Sequence, residues 1–199
     1  MKGSLGWRVR SSPGGGGRFF CPLEGGDRDY IRSEVRRWFA PFGFALWPSH
    51  RLGEYVRCEE CKQTFTAEVL EIVTTEEMSL RLERAAVVLL STVAARSGDG
   101  DETRAVAEQE LRRYVRHPYS AHVAGAAWKL EEVVEAVSAA AVQMEQIGRR
   151  GLFASAARVA HTNGGLTAQA FAALHAAGGA LRLPMPTIRT LIVKPRTQG

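Results

Sequence analysis

The spacing of apolar positions changes near residue 68, and the change divides the chain into two parts. Between Cys21 and Cys61, short runs of aromatic and β-branched residues such as "RDYIRSEVRRWF" and "RLGEYVRC" are broken by proline and glycine, a pattern typical of short β-strands. After Glu68 the apolar residues recur at helical spacing. We therefore predict about three strands followed by five to seven helices, which is an α+β fold that is mainly α.

Glycine, asparagine and proline divide the helical part into segments. "SGDG" at 97–100 ends the first predicted helix, and Asp101 is a suitable N-cap for the next, which Pro118 would end. The stretch 121–148 is compatible with one helix or two, and "NGG" at 163–165 separates two more. The final segment "MPTIRTLIVK" is ambiguous between helix and strand.

The composition supports a soluble protein with two small domains. The chain has 199 residues, 45% hydrophobic and 24% charged, without an apolar run of the roughly 20 residues that span a bilayer. "SSPGGGG" at 11–17 favours a flexible turn or linker. We predict an N-terminal strand or flexible lead at 1–17, a β domain at 18–67 and a helical domain at 75–195. The absence of a signal-peptide core predicts a cytoplasmic location.

Charge is distributed unevenly along the chain. Residues 148–199 carry seven basic side chains and no carboxylate, whereas residues 68–147 carry 8 basic and 14 acidic side chains. Acidic and basic helices that complement one another within a bundle explain this asymmetry best. A basic contact face for acidic partners is the alternative. Arg32, Arg36 and Arg37 beside Trp38 in "RSEVRRWF" form a basic and aromatic patch of the kind that binds nucleic acid, but we favour a solvated surface with aromatic side chains in the core.

Three cysteines have the spacing of a zinc ribbon in which one of the four ligand cysteines is missing. Cys58 and Cys61 form an intact C-x-x-C knuckle, but Cys21 is followed by Glu24 at the position of the second cysteine. Three thiolates are most of a Zn²⁺ site, and a carboxylate can serve as a fourth ligand. We favour Glu24 over His50 for that place. A metal-free ribbon held together by its aromatic side chains is the alternative.

Several motifs together resemble bacterial zinc-ribbon proteins fused to a TerB-like helical domain of the tellurite-resistance type. The first part of the resemblance lies in "FFCP", "GGDRDY", "RRWF" and "LGEYVRCEEC". The second lies in the helix ends "GDG" and "HTNGG" and in "LTAQAFAALHAAGGALRLP". TerB-like domains are all-helical and related to the N-terminal domain of the membrane co-chaperone DjlA. The resemblance implies a binding or sensing module in a bacterial stress response.

The resemblance also implies an acidic, metal-associated site at two Asp-Gly turns. The first turn keeps Asp99, with Asp101 and Glu102 nearby, but the second reads Asn163-Gly164. A neutral amide does not supply the negative charge that hard divalent cations favour. Capping and the helix dipole explain acidic residues at a helix start without a metal.

No sequence motif indicates catalysis. HExxH, GxSxG and the phosphate-binding P-loop are absent, and the histidines have no regular spacing to a nucleophile. We predict a non-catalytic stress-response protein that binds a protein partner and carries a structural zinc ribbon. The alternatives are a nucleic-acid-binding regulator that uses the ribbon and the basic C-terminal segment, and a divalent-metal sensor at the Asp-Gly turn.

Overall fold

A computed structural model describes residues 5–41, 44–98, 100–115 and 128–193. The chain divides into two compact units, Met1–Glu77 and Met78–Gly199. The first contains an antiparallel sheet and the second is helical, which confirms the predicted α+β class. None of the helices in these ranges is long and apolar enough to cross a bilayer.

The first unit is a four-stranded antiparallel meander in which each strand pairs with the next. Its strands are β1 (Leu5–Cys21), β2 (Gly26–Pro41), β3 (Trp47–Cys58) and β4 (Thr64–Thr66), followed by a 3-10 helix at Ala67–Glu71. Four strands appear where we predicted about three, and the first three are longer than expected. Because a meander reverses direction at every turn, the β1–β2 and β3–β4 turns lie at the same end of the sheet.

The segment 11–17 is part of β1, so its interpretation as a flexible linker is wrong. β1 pairs with β2 along this segment, and the register shifts between Pro13 and Gly15, where Gly15 has a φ of 139°. A Cβ at Gly16 would lie 2.7 Å from the Tyr30 carbonyl oxygen. The glycines therefore permit a bulge and a close approach of two strands that larger residues would prevent.

The small core of the first unit lies at the cysteine end of the sheet. Phe19, Val56 and Val69 are buried there together with two of the cysteines, and Tyr30 and Phe65 pack against them. Within the same unit, the Asp27 carboxylate accepts hydrogen bonds from the N–H groups of Thr75 (2.9 Å) and Glu76 (3.2 Å).

Six α-helices lie in the described residues, within the predicted range of five to seven. They are α1 (Thr75–Ser97), α2 (Asp101–Leu111), α3 (Leu130–Ala141), α4 (Gln146–Ala160), α5 (Ala168–Ala180) and α6 (Met185–Val193). The stretch 121–148 therefore contributes to two helices, and the ambiguous last segment is helical. The N-cap of α2 is Gly100 and not Asp101. Pro118 lies outside the described residues, and α2 ends earlier, at Leu111.

A continuous stretch of α1 is buried within the second unit. Its residues from Ala85 to Ala94 are all buried, as expected of a helix surrounded by others. The largest fully buried side chains of this unit are Leu89 and Leu90 in α1, together with Leu152, Phe153, Leu174 and Leu181 from other helices and the α5–α6 turn.

Candidate metal centre

Two tight turns at one end of the sheet position the three cysteines. In the β1–β2 turn the Gly25 N–H donates to the Cys21 carbonyl at 2.9 Å, and Gly25 adopts a φ of 65°. In the β3–β4 turn the Cys58 N–H donates to the Gln63 carbonyl at 3.0 Å. Cys21 and Cys58 end their strands beside these turns, and Cys61 lies within the second one.

The three sulfur atoms converge on one small space. The Sγ atoms of Cys21, Cys58 and Cys61 all lie within 4.8 Å of one another, and those of Cys21 and Cys61 are 3.8 Å apart. Zn–S bonds of about 2.3 Å in tetrahedral geometry place two sulfurs about 3.8 Å apart. The cysteines are free thiols, two of them buried. Their arrangement therefore fits a thiolate-preferring metal ion such as Zn²⁺ with little adjustment.

Backbone amides of the second knuckle point at its sulfur atoms. Burial raises the pKa of the Cys58 thiol, but hydrogen bonds from the N–H groups of Cys61 and Glu60 outweigh that effect and hold its pKa below the usual value. Such donors stabilise the thiolate, which is the form that binds metal. The C-x-x-C spacing is the sequence signal for this turn, although it does not identify the donors themselves.

The neighbouring thiols affect Cys61 differently. The Gln63 N–H lowers its pKa, but desolvation and the sulfurs of Cys58 and Cys21 outweigh this donor and leave the pKa of Cys61 raised. Three thiolates without a cation repel one another. A bound divalent cation would remove this repulsion, because metal ligation requires the deprotonated form of each cysteine.

Neither candidate for the fourth ligand joins this group. The Glu24 carboxylate lies in the β1–β2 turn, where it is 3.8 Å from the Arg28 guanidinium and partly exposed. His50 is exposed and lies within β3, not in a loop before it as we expected. Within the parts of the chain that the structure describes, the group of possible ligands consists of the three cysteines.

The proposed acidic cation site is only partly described. Asp99 lies outside the described residues. Asp101 and Glu102 form the exposed first turn of α2, where a guanidinium nitrogen of Arg104 lies 4.0 Å from the Asp101 carboxylate. Among the described residues these two carboxylates do not belong to any group that could hold a metal.

The two predicted Asp/Asn-Gly turns lie against each other in the helical unit. The Asn163 side-chain amide donates hydrogen bonds of 3.1 Å to the carbonyls of Ser97 and Gly98 at the end of α1. Gly164 has a φ of 75°, as expected of a turn glycine. The sequence indicated two similar turns at helix ends, but it did not indicate that Asn163 of the second turn caps the helix that ends at the first.

Comparisons of the chain with protein-family models, with curated proteins and with solved structures found no match. The functional interpretation therefore rests on the residues themselves. The resemblance to zinc-ribbon and TerB-like proteins remains a prediction from sequence motifs.

Proposed function

We propose that this chain is a non-catalytic zinc-ribbon protein whose helical unit acts as a TerB-like protein-interaction module in a stress response of the tellurite-resistance type. In this proposal Zn²⁺ is a structural ion of the N-terminal unit. The single observation that carries the proposal is the convergence of Cys21, Cys58 and Cys61 at the end of the sheet.

A structural role for the metal follows from the size of the unit's core. Five buried residues, two of them ligand cysteines, make up the core cluster of the sheet. Cores of this size are marginal without a disulfide, a metal or oligomerisation. Thiolate ligands favour Zn²⁺ over Mg²⁺ or Ca²⁺, which prefer oxygen. Zinc binding would therefore supply stability that apolar packing alone does not provide.

Glu24 remains the proposed fourth ligand. It lies in the same turn as Cys21, three residues further along, and its observed partner is an ion pair of 3.8 Å at the surface. Exposed ion pairs contribute about 0–1 kcal/mol to stability, so breaking the Glu24–Arg28 pair to let Glu24 bind a metal ion would cost little free energy. A water molecule or an external ligand is the alternative occupant of that position.

The arrangement of the helical unit supports the second part of the proposal. The α1–α2 turn and the α4–α5 turn meet through Asn163, and both occupy the helix ends on which the TerB-like resemblance was based. Asparagine replaces the acidic residue that a cation site would use. This favours a binding role for the helical surface over a metal-sensing role for the turns.

Elemental analysis of the full chain, purified without chelator, tests the zinc site. We expect one zinc per chain in the wild type, none in Cys58→Ser, and a weakened site in Glu24→Ala that loses zinc to a mild chelator. Glu60→Ala is the matched control, because Glu60 is an exposed carboxylate in the second knuckle. Wild-type protein without zinc would refute the proposed metal site. Full retention of zinc by Glu24→Ala would instead give the fourth position to water or an external ligand, because His50 lies toward the other end of β3.

A further inference from the structure

Three aromatic side chains form a row across one face of the sheet, at the end opposite to the cysteines. Phe39 in β2 is the register partner of Trp7 in β1 and of Trp47 in β3, so all three side chains lie on the same face. The rings of Trp7 and Phe39 meet edge to face with centroids 5.4 Å apart. Trp7 is 51% exposed and Trp47 63% exposed.

An arginine accompanies the row on the same face. The Arg37 guanidinium lies 4.5 Å from the centroid of the Trp7 ring, in a cation–π contact. Arg37 precedes Phe39 by two positions in β2, which places both side chains on one side of the pleat. A cation therefore lies beside exposed aromatic rings.

The carboxylates of this part of the sheet lie on the opposite face. Glu34 and Glu54 are register partners, and they form ion pairs with Arg36 (3.1 Å from Glu34) and Arg51 (3.2 Å from Glu34) on that face. Residues 5–13 and 33–54 together contain five arginines and two glutamates. The aromatic face thus carries positive charge without a neighbouring carboxylate from these strand positions.

From this arrangement we propose that the face formed by Trp7, Arg37, Phe39 and Trp47 binds single-stranded nucleic acid. Exposed aromatic rings on adjacent strands offer platforms for two or three stacked bases, and arginine provides contact with the phosphate backbone. A purely apolar protein partner would not require an uncompensated cation in the row. The proposal is independent of zinc ligation, since the row lies at the other end of the sheet.

Fluorescence anisotropy with a labelled single strand of about 12 nucleotides, within the site size of known single-strand binders, tests this proposal on the full chain. Trp47→Ala should weaken binding about tenfold, which corresponds to the loss of one stacking contact. Arg37→Gln should weaken binding and reduce the slope of log K against log salt by about one. A duplex of the same sequence should bind more weakly, because its bases are not available for stacking.

Two matched variants separate this face from general charge attraction. Arg10→Gln removes the same charge from the opposite face of the sheet, and Phe171→Ala removes an exposed ring from the helical unit. Both should bind like the wild type, within about twofold, and circular dichroism should show all variants folded. The proposal is wrong if the chain does not bind the single strand at about 50 mM salt, or if Arg10→Gln weakens binding as much as Arg37→Gln. A Trp47-dependent association with anionic vesicles or with a second copy, in the absence of oligonucleotide binding, would also overturn it.

Discussion

The side-chain amide of Asn163 donates hydrogen bonds at the C-terminal end of α1, which a carboxylate at this position would not do. Its amide nitrogen donates to the carbonyl of Ser97, the last residue of α1, and to that of Gly98, which also accepts from the Gly100 N–H at 2.9 Å. Gly98 has a φ of 105°, and a Cβ added at this position would lie 3.0 Å from the Asn163 Nδ2. The Asn163 amide therefore acts as a hydrogen-bond donor in this turn, and Gly98 leaves the space that the amide occupies.

We expect Asn163→Asp to destabilise the helical unit by about 2 kcal/mol, because a carboxylate would face two carbonyl oxygens at the negative end of the helix dipole. Asn163→Ala is the control. It loses the hydrogen bonds without adding repulsion, and we expect it to cost about 1 kcal/mol. Urea unfolding measures both. If Asn163→Asp were as stable as the wild type, or gained stability with Ca²⁺ or Mn²⁺, the turns would form a cation site after all.

A buried ion pair joins α2 to α4 in the same unit. Both carboxylate oxygens of Glu110 accept hydrogen bonds from the Arg158 guanidinium, at 2.8 and 2.7 Å. Ser155 receives a further bond from Arg158 and lies 2.9 Å from the Tyr114 hydroxyl. Burial raises the pKa of Glu110, but the hydrogen bonds and positive charge of Arg158 outweigh it, so the pKa is lowered from its ordinary value of 4.5.

The lowered pKa gives the stability of this unit a defined pH dependence. An acid with a lower pKa in the folded state stabilises the fold fully above its unfolded pKa and ceases to do so as pH falls through the folded value. We therefore expect unfolding midpoints in urea to decrease below about pH 4.5, less steeply in Glu110→Gln. At pH 7 that variant should lose about 3 kcal/mol. Equal slopes in both proteins would contradict the assignment to Glu110.

At the level of elements, the close contact of α5 and α6 depends on one glycine. A Cβ at Gly178 would lie 2.6 Å from Cδ1 and 2.9 Å from Cγ1 of Ile188, and 3.2 Å from Phe153. The next residue, Gly179, has no such neighbour within 4 Å. Two adjacent glycines of one helix therefore differ only in what surrounds them.

This pair provides a prediction with its own control. Gly179→Ala should stabilise the protein by about 0.5–1 kcal/mol, because alanine is the better helix former. Gly178→Ala gains the same propensity but must displace Ile188 in a packed core, at a cost of about 1–3 kcal/mol. We expect a net destabilisation in thermal or urea unfolding. Similar stabilisation by both substitutions would mean that α6 moves freely away from α5.

The sequence predicted those elements whose pattern lies within a short segment of the chain, and it did not predict contacts between distant segments. The helices follow the spacing of apolar residues, which is dictated by burial of one face, and α1 to α5 lie in segments where that spacing predicts helix, whereas the segment of α6 was ambiguous. The N-terminal strand was predicted only as an alternative to a flexible lead, because the four glycines at 14–17 show no alternation of side chains. The contacts of Asp27 with Thr75 and of Glu110 with Arg158 join residues 48 positions apart, and a single sequence does not reveal such pairs.

The candidate site was predictable for a similar reason. The C-x-x-C knuckle is a local motif, and the structure brings its two cysteines together with Cys21, as zinc ligation requires. The fourth ligand was inferred from spacing alone, and in the structure the Glu24 carboxylate lies 3.8 Å from the Arg28 guanidinium. Spacing places a residue near a site, but it does not determine the orientation of its side chain.

The two units have hydrophobic cores of unequal size. The cluster in the helical unit draws on all six helices, whereas the cluster in the sheet contains five buried residues around the cysteines. In the helical unit, Arg158 from the acid-free C-terminal segment forms an ion pair with Glu110 from the acidic middle of the chain. This pair is the kind of complementarity that we expected from the charge asymmetry.

The unequal cores predict how the full chain responds to metal removal. If zinc ligation stabilises the small core, a strong chelator should abolish hydrogen-exchange protection in residues 5–71 and leave the buried centre of α1 and helices α2–α6 protected. Readdition of zinc should restore protection, and the Cys58→Ser variant should resemble the chelated protein without chelator. Magnesium readdition is the control, since thiolates bind it poorly. Simultaneous loss of protection in the helices would show that their stability depends on the metal-bound sheet, and unchanged protection throughout would show that the sheet does not need a metal.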